Sequence, residues 1–302
     1  MSITVAPVGN SRILSVGTYR PKRVVPNSEI VDRIDSTDEW IVQRTGIESR
    51  RFAGDDEIVI SMAKAACEIA LKRAKLTIAD IDTVILSTIS YPFQAPSAAT
   101  ELINELGNPK AAAFDISAAC AGFCYGVAMG SDLVRSGTSK NVLVIGVEKL
   151  SDYTDPDDRA TAFIFADGAG AVVIGQSDQP RIGQTIWGSD ADSRDAITLT
   201  PSFLDFKKNP DKGVGELGWP NISQQGQVVF RWAVYSMSKV GLQALEAAGV
   251  SVDELGAFIP HQANVRIIET MAKEMKIPDS VLIADDIRTN GNTSAASIPL
   301  AM

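Results

Sequence analysis

Histidine is almost missing from this chain, with one residue in 302. Zinc centres draw several His, Cys or carboxylate ligands together at fixed spacing, and Cys120 and Cys124 have too few companions nearby, so no metal is expected. The three cysteines are odd in number and widely spaced, which excludes a disulfide framework and points to a reducing, cytoplasmic setting. Also lacking are an uncharged apolar run of roughly 18 residues and an N-terminal apolar leader, so neither a membrane helix nor a secretory signal is expected. Basic residues are outnumbered, 28 against 37 acidic ones, and the net charge of -9 argues against general nucleic-acid binding. A local basic face could still receive an acidic partner.

What the chain does have is size and apolar content. At 302 residues, 45% of them hydrophobic, it can bury a large α/β core in one unit or two similar halves. The stretch Asp115-Ile116-Ser117-Ala118-Ala119-Cys120-Ala121-Gly122-Phe123 organises the rest. An apolar strand, Ala111 to Ile116, runs through small residues into a helix expected from Cys120 to about Arg135. A thiol at a helix N-terminus meets unpaired N–H groups and the positive end of the helix dipole, which favour the thiolate. The small neighbours leave room for a substrate carbonyl, and an acyl-transfer site follows in outline.

Helical periodicity is expected at Glu57 to Lys75, Ser97 to Leu106, Val229 to Ala248 and Asn264 to Lys276, with strands at Val84 to Ser87, Val142 to Val147, Ala257 to Ile259 and Val281 to Ala284. Gly168 and Gly170 read as a tight turn entering a strand, and Ser189 to Gln227 as a long surface excursion. A shift of 174 residues lays Ala70 on Ala244, Thr77 on Ser251 and Ile85 on Ile259, and lays Cys120 on Ser294. This spacing predicts two related halves, 1–175 with Cys120 and 176–302 with His261 and Asn292.

His261 follows a strand, and Asn292 sits in Asn290-Gly291-Asn292-Thr293-Ser294. Each alone reads equally well as a cap or turn residue. Like Cys120, both fall at element ends, where the loops of an α/β sheet gather a site.

Three motifs together, Ala119-Cys120-Ala121-Gly122-Phe123, Pro260-His261-Gln262-Ala263-Asn264 and Gly291-Asn292-Thr293-Ser294-Ala295-Ala296-Ser297-Ile298-Pro299, resemble the signatures of the 3-oxoacyl-[acyl-carrier-protein] synthase III family. The resemblance spans nearly the whole chain. It implies the thiolase-like fold, a duplicated five-layered α-β-α-β-α architecture found as a homodimer. It also implies that Cys120 is acylated by a primer acyl-CoA, and that His261 and Asn292 donate hydrogen bonds to the enolate left when malonyl-acyl-carrier protein loses CO₂. No resident cofactor is implied. Trp40 and Arg159 match positions that sandwich the CoA adenine, Arg44 one near the phosphates, and Asn264 one near the pantetheine arm. Arg231, Arg266 and Lys273 match a basic face for the acyl carrier protein, although Glu274 replaces a lysine of the family.

Two departures shape the expectation further. Ala95 stands where some relatives place a phenylalanine that closes the partner's acyl pocket, so branched or longer primers are expected to fit. The chain ends at Ala301-Met302, inside an expected helix, whereas the family continues through a Gly-rich turn that donates one oxyanion-hole N–H. A papain-like protease shares the Cys, His, Asn order without the surrounding sequence found here. A polyketide-type condensing enzyme with a longer starter shares all three residues.

Overall fold

In the computed structural model, residues 8–302 are described. Five strands form one mixed sheet: β1 (Asn10–Tyr19), β2 (Thr83–Ser87), β3 (Ala112–Ile116), β4 (Asn141–Lys149) and β5 (Asp167–Ser177), in the spatial order β1-β5-β4-β2-β3. β2 runs parallel to β3 and β4, while β5 runs antiparallel to β4 and β1. Runs such as Val84-Ile85-Leu86 and Val142-Leu143-Val144-Ile145 carry apolar side chains on both faces, as strands covered by helices on both sides must.

Outside this sheet, helix α1 (Asp38–Thr45) begins at Thr37, whose hydroxyl accepts the Trp40 N–H, and stops at Gly46. Helices α2 (Val59–Ala74) and α3 (Ala98–Leu106) cover one face of the sheet. A Cβ at Gly17 of β1 would lie 2.2 Å from the Ala66 carbonyl oxygen, so this strand and α2 meet backbone to backbone. The other face carries helix α4 (Gly122–Arg135) and the short Ser297–Ala301 helix. Gly168 and Gly170, expected in a turn, lie inside β5 instead. Their lack of a side chain admits Leu300 and Pro299; a Cβ at Gly170 would sit 2.5 Å from that of Pro299.

The later part of the chain repeats the earlier pattern in shorter form. A continuous helical stretch runs from Gly226 through a π-helical segment at Ala233–Met237 to Ala248. A capping box at Ser251 and Glu254 follows, the counterpart of Thr77 and Asp80 174 residues earlier. Next come β6 (Ala257–Phe258) and β7 (Leu282–Ile283), paired in parallel as β2 and β3 are, with the Val265–Glu274 helix between them. The 189–227 excursion is exposed for most of its length yet not structureless. Ile197–Thr200 pairs antiparallel with Asn221–Gln224, and two short helices, Phe203–Lys208 and Gly213–Leu217, fill the interval.

Candidate active site

β2, β3 and β4 all end on the same side, and the site forms beyond their carboxyl ends. After β3 the chain makes a 3₁₀ turn at Ala119–Ala121 before α4 starts at Gly122, so the α-helix begins two residues later than expected. Ala119 has φ +44°, a left-handed conformation that costs an L-residue about 1–2 kcal/mol. This bend presents Cys120, which is half-buried. Gly122 is small for a reason other than substrate access: a Cβ there would lie 1.6 Å from the Ser87 hydroxyl oxygen.

Burial pushes the Cys120 thiol up, but the His261 charge and hydrogen bond, the Ser294 hydroxyl and the Cys120 N–H outweigh it. Together they bring the thiol down from 9.0 to about 7. Cys67, inside α2, provides the contrast, since full burial alone pushes that thiol far up.

His261 lies in the loop between β6 and the Val265–Glu274 helix, whose N-cap is Asn264. Its Nδ1 is 2.6 Å from Ser297 Oγ, and the same oxygen accepts the Gln262 N–H at 3.3 Å. Asn292 is held by its backbone, its N–H donating to Ile164 O and its C=O accepting from Ala166 N, each at 2.9 Å. Its Oδ1 accepts the Ser294 N–H at 2.9 Å. That bond fixes the carboxamide orientation and turns the NH₂ away from Ser294, with no acceptor for it among the described residues. Cys120, His261 and Ser294 thus share one site, and the Ser294 N–H ties Asn292 to it.

Three contributors were not legible in the sequence. Ser294 and Ser297 carry the contacts just described. Glu148, on β4, is fully buried and accepts from Ser90 Oγ at 2.6 Å, from Ile89 N at 3.1 Å and from Thr88 Oγ1 at 3.2 Å. Burial pushes its carboxyl up to about 7 against these bonds, and the neighbouring Cys120 adds to the rise. The only sequence signal for it was an acid inside an otherwise apolar strand.

The remaining expected residues form two surface groups. Arg44 and Arg159 place their guanidinium carbons 4.5 and 5.3 Å from the Trp40 ring centre. Trp40, Arg159, Ser36 and Thr37 line a cavity of about 180 Å³. Asn264 has both ends of its amide engaged, donating to Arg44 O at 3.0 Å and accepting from Arg266 N at 2.9 Å. Arg231, Arg266 and Lys273 are exposed, and Arg266 lies 5.6 Å from the ring centre of Phe230, the neighbour of Arg231. Ala95 is exposed on the loop after β2. Among the described residues no three His, Cys, Asp or Glu side chains form a metal cluster, and no helix is long and apolar enough to cross a membrane.

Comparison with known proteins gives these contacts a context. Family models described as 3-oxoacyl-[acyl-carrier-protein (ACP)] synthase III and its C-terminal part match residues 114–191 and 245–302. The chain is 54% identical over 297 residues to beta-ketoacyl-[acyl-carrier-protein] synthase III 1 of Streptomyces coelicolor, covering 97% of this chain and 87% of that protein. It is 54% identical over 292 residues to beta-ketoacyl-[acyl-carrier-protein] synthase III of Streptomyces glaucescens, covering 97% and 86%. The crystal structure of the priming beta-ketosynthase from the R1128 polyketide biosynthetic pathway superposes with a TM-score of 0.96 at 42% identity, covering 100% and 89%. With its thiolase-like fold and this degree of identity over almost its whole length, the chain belongs to the 3-oxoacyl-[acyl-carrier-protein] synthase III family.

Proposed function

We propose that the chain joins a primer acyl-CoA to malonyl-acyl-carrier protein by decarboxylating Claisen condensation, the opening step of type II fatty acid synthesis. The observation that carries this reading is a thiol brought to about 7 beside His261, with the Asn292 NH₂ unengaged across the same site. The Cys120 thiolate attacks the thioester carbonyl, the CoA thiolate leaves, and the acyl group rests on sulfur as an activated ester. Malonyl-acyl-carrier protein then loses CO₂, and the electron pair of the broken C–C bond passes into an enolate. The His261 and Asn292 N–H groups receive the enolate oxygen; a preorganised donor of this kind lowers a barrier by roughly 3–4 kcal/mol. The carbanion attacks the acyl carbonyl, Cys120 leaves as thiolate, and 3-oxoacyl-acyl-carrier protein departs. The sequence of steps calls for no resident cofactor.

The binding roles belong to the same proposal. Trp40 and Arg159 part to admit the adenine, Arg44 faces the phosphates, and Asn264 holds Arg44 in place while bordering the pantetheine arm. Arg231, Arg266 and Lys273 receive the acidic carrier protein. β3 supports a homodimer: it is an edge strand, half-exposed from Ala113 to Ile116, with no lysine or proline to guard it. The proposal also takes 1–175 and 176–302 as the two halves and the cytoplasm as the setting.

A second reading, a polyketide-type enzyme with a longer starter, is favoured by the likeness to the R1128 priming ketosynthase and by the small Ala95. Mass spectrometry after incubation with acetyl-CoA and with longer acyl-CoA substrates tests both. An acyl adduct on Cys120 is expected, and its absence with every primer sinks the mechanism. A marked preference for long starters selects the second reading.

A further inference from the structure

Ser297 touches no atom that the proposed reaction transforms, yet among the described residues it is the one side chain hydrogen-bonded to the His261 ring, at Nδ1, which leaves Nε2 for the site. It is 1% exposed, and its oxygen has two partners, His261 Nδ1 at 2.6 Å and the Gln262 N–H at 3.3 Å. The Gln262 N–H is a donor and nothing else, so it occupies an Oγ lone pair. No carbonyl accepts from Ser297 Oγ among the described residues, and the hydroxyl proton has a single acceptor within reach, Nδ1. A neutral imidazole that accepts at Nδ1 carries its proton on Nε2.

We propose that Ser297 is a positioning residue that fixes the Nε2–H tautomer of His261 whenever the imidazole is neutral. The device matters at one stage of the cycle. While Cys120 is a thiolate, an imidazolium beside it carries protons on both nitrogens and no tautomer needs choosing. During acylation the imidazolium gives a proton to the departing CoA thiolate, so the acylated sulfur faces a neutral imidazole. A donor is then needed on the side facing the site, where the enolate oxygen develops, and the Ser297 hydroxyl supplies the bias from behind. The inference rests on His261 acting as a donor in the proposed condensation.

Because the chain has one histidine, ¹⁵N-labelled histidine yields a single imidazole spectrum. The full chain carrying Cys120→Ala, at a pH well above 7, reproduces the stage without a thiolate. The expected spectrum shows a protonated Nε2 and a bare Nδ1; a protonated Nδ1 overturns the proposal without any Ser297 variant. Adding Ser297→Ala is expected to introduce a measurable Nδ1–H population, and an unchanged spectrum also overturns it. In the chain with Cys120 intact, Ser297→Ala is expected to slow malonyl decarboxylation about tenfold, the loss of one hydrogen bond. Acylation of Cys120 by acyl-CoA should change far less, and equal losses in both steps count against the proposal. His261→Ala tests the underlying reading separately: undiminished decarboxylation in that variant removes His261 as a donor, whatever the tautomer spectrum shows.

Discussion

The turns at Ala119–Ala121 and Ser294–Ala296 are built alike and used differently. Each opens on a non-glycine residue with left-handed φ, +44° at Ala119 and +46° at Ser294, winds through one 3₁₀ turn and enters a helix on the same face of the sheet. The first leaves Cys120 half-open to substrate. The second is sealed, with Ser294 to Ser297 all at most 3% exposed, and Ala295 pressed onto Gly146. Of two like bends, one presents Cys120 and the other brings Ser294 up to it, with the Ser294 N–H bonded to Asn292 just upstream. The backbone conformation is the same in both bends, and the side chains differ.

The comparison breaks most completely at Cys120. Cys120→Ala is expected to abolish the acyl adduct and lower condensation by about 10³-fold or more, measured by mass spectrometry and product formation. Asn292→Ala removes, just ahead of the second turn, a free NH₂ and the oxygen that accepts from Ser294 N; a drop of about 10²-fold in CO₂ release is expected, with acylation less affected. Gly146→Ala attacks the seal itself, because the new Cβ would fall 2.1 Å from the Ala295 carbonyl oxygen. The backbone must shift, and a loss of roughly 1–3 kcal/mol is expected in thermal or urea unfolding.

Smaller effects sharpen the contrast. Alkylation of Cys120 by iodoacetamide should rise through a midpoint near pH 7, well below the ordinary thiol value of 9.0, while Cys67 stays unreactive in the folded chain. A midpoint near 9 would mean that His261 and Ser294 do not charge the first turn. Glu148 belongs to neither turn. Its carboxyl is raised from 4.5 to about 7, so the folded state keeps a proton that the unfolded chain releases, and this contribution to stability declines as pH rises from about 4.5 to about 7. Glu148→Gln should flatten that decline, by an amount on the order of 1–3 kcal/mol across the window, read from unfolding at a series of pH values.

Local rules made much of the fold legible. Thr37 and Ser97 cap α1 and α3 where their hydroxyls allow, and the Thr77 and Ser251 capping boxes repeat at the expected spacing. Cys120, His261 and Asn292 were legible as element-end residues in three motifs. What escaped depends on contacts distant in sequence. Gly168 and Gly170 look like turn glycines until Leu300 and Pro299 arrive against them. The start of α4 was misplaced because nothing in Ala118-Ala119-Cys120 announces a left-handed alanine. Ser294, Ser297 and Glu148 are ordinary residue types whose importance lies wholly in what they face. The engagement of Asn264 with Arg44, across 220 positions, has no sequence counterpart either.

Asn292 takes its place by inserting its main chain between Ile164 and Ala166, a single rung shared by early and late portions of the polypeptide. The Asn292 amide therefore reaches its station only when the segment around Gly291 to Ser294 docks against strands that lie more than a hundred residues earlier in the sequence. Until that rung closes, the amide and the thiol belong to separate parts of the polypeptide, and only the assembled sheet makes them neighbours.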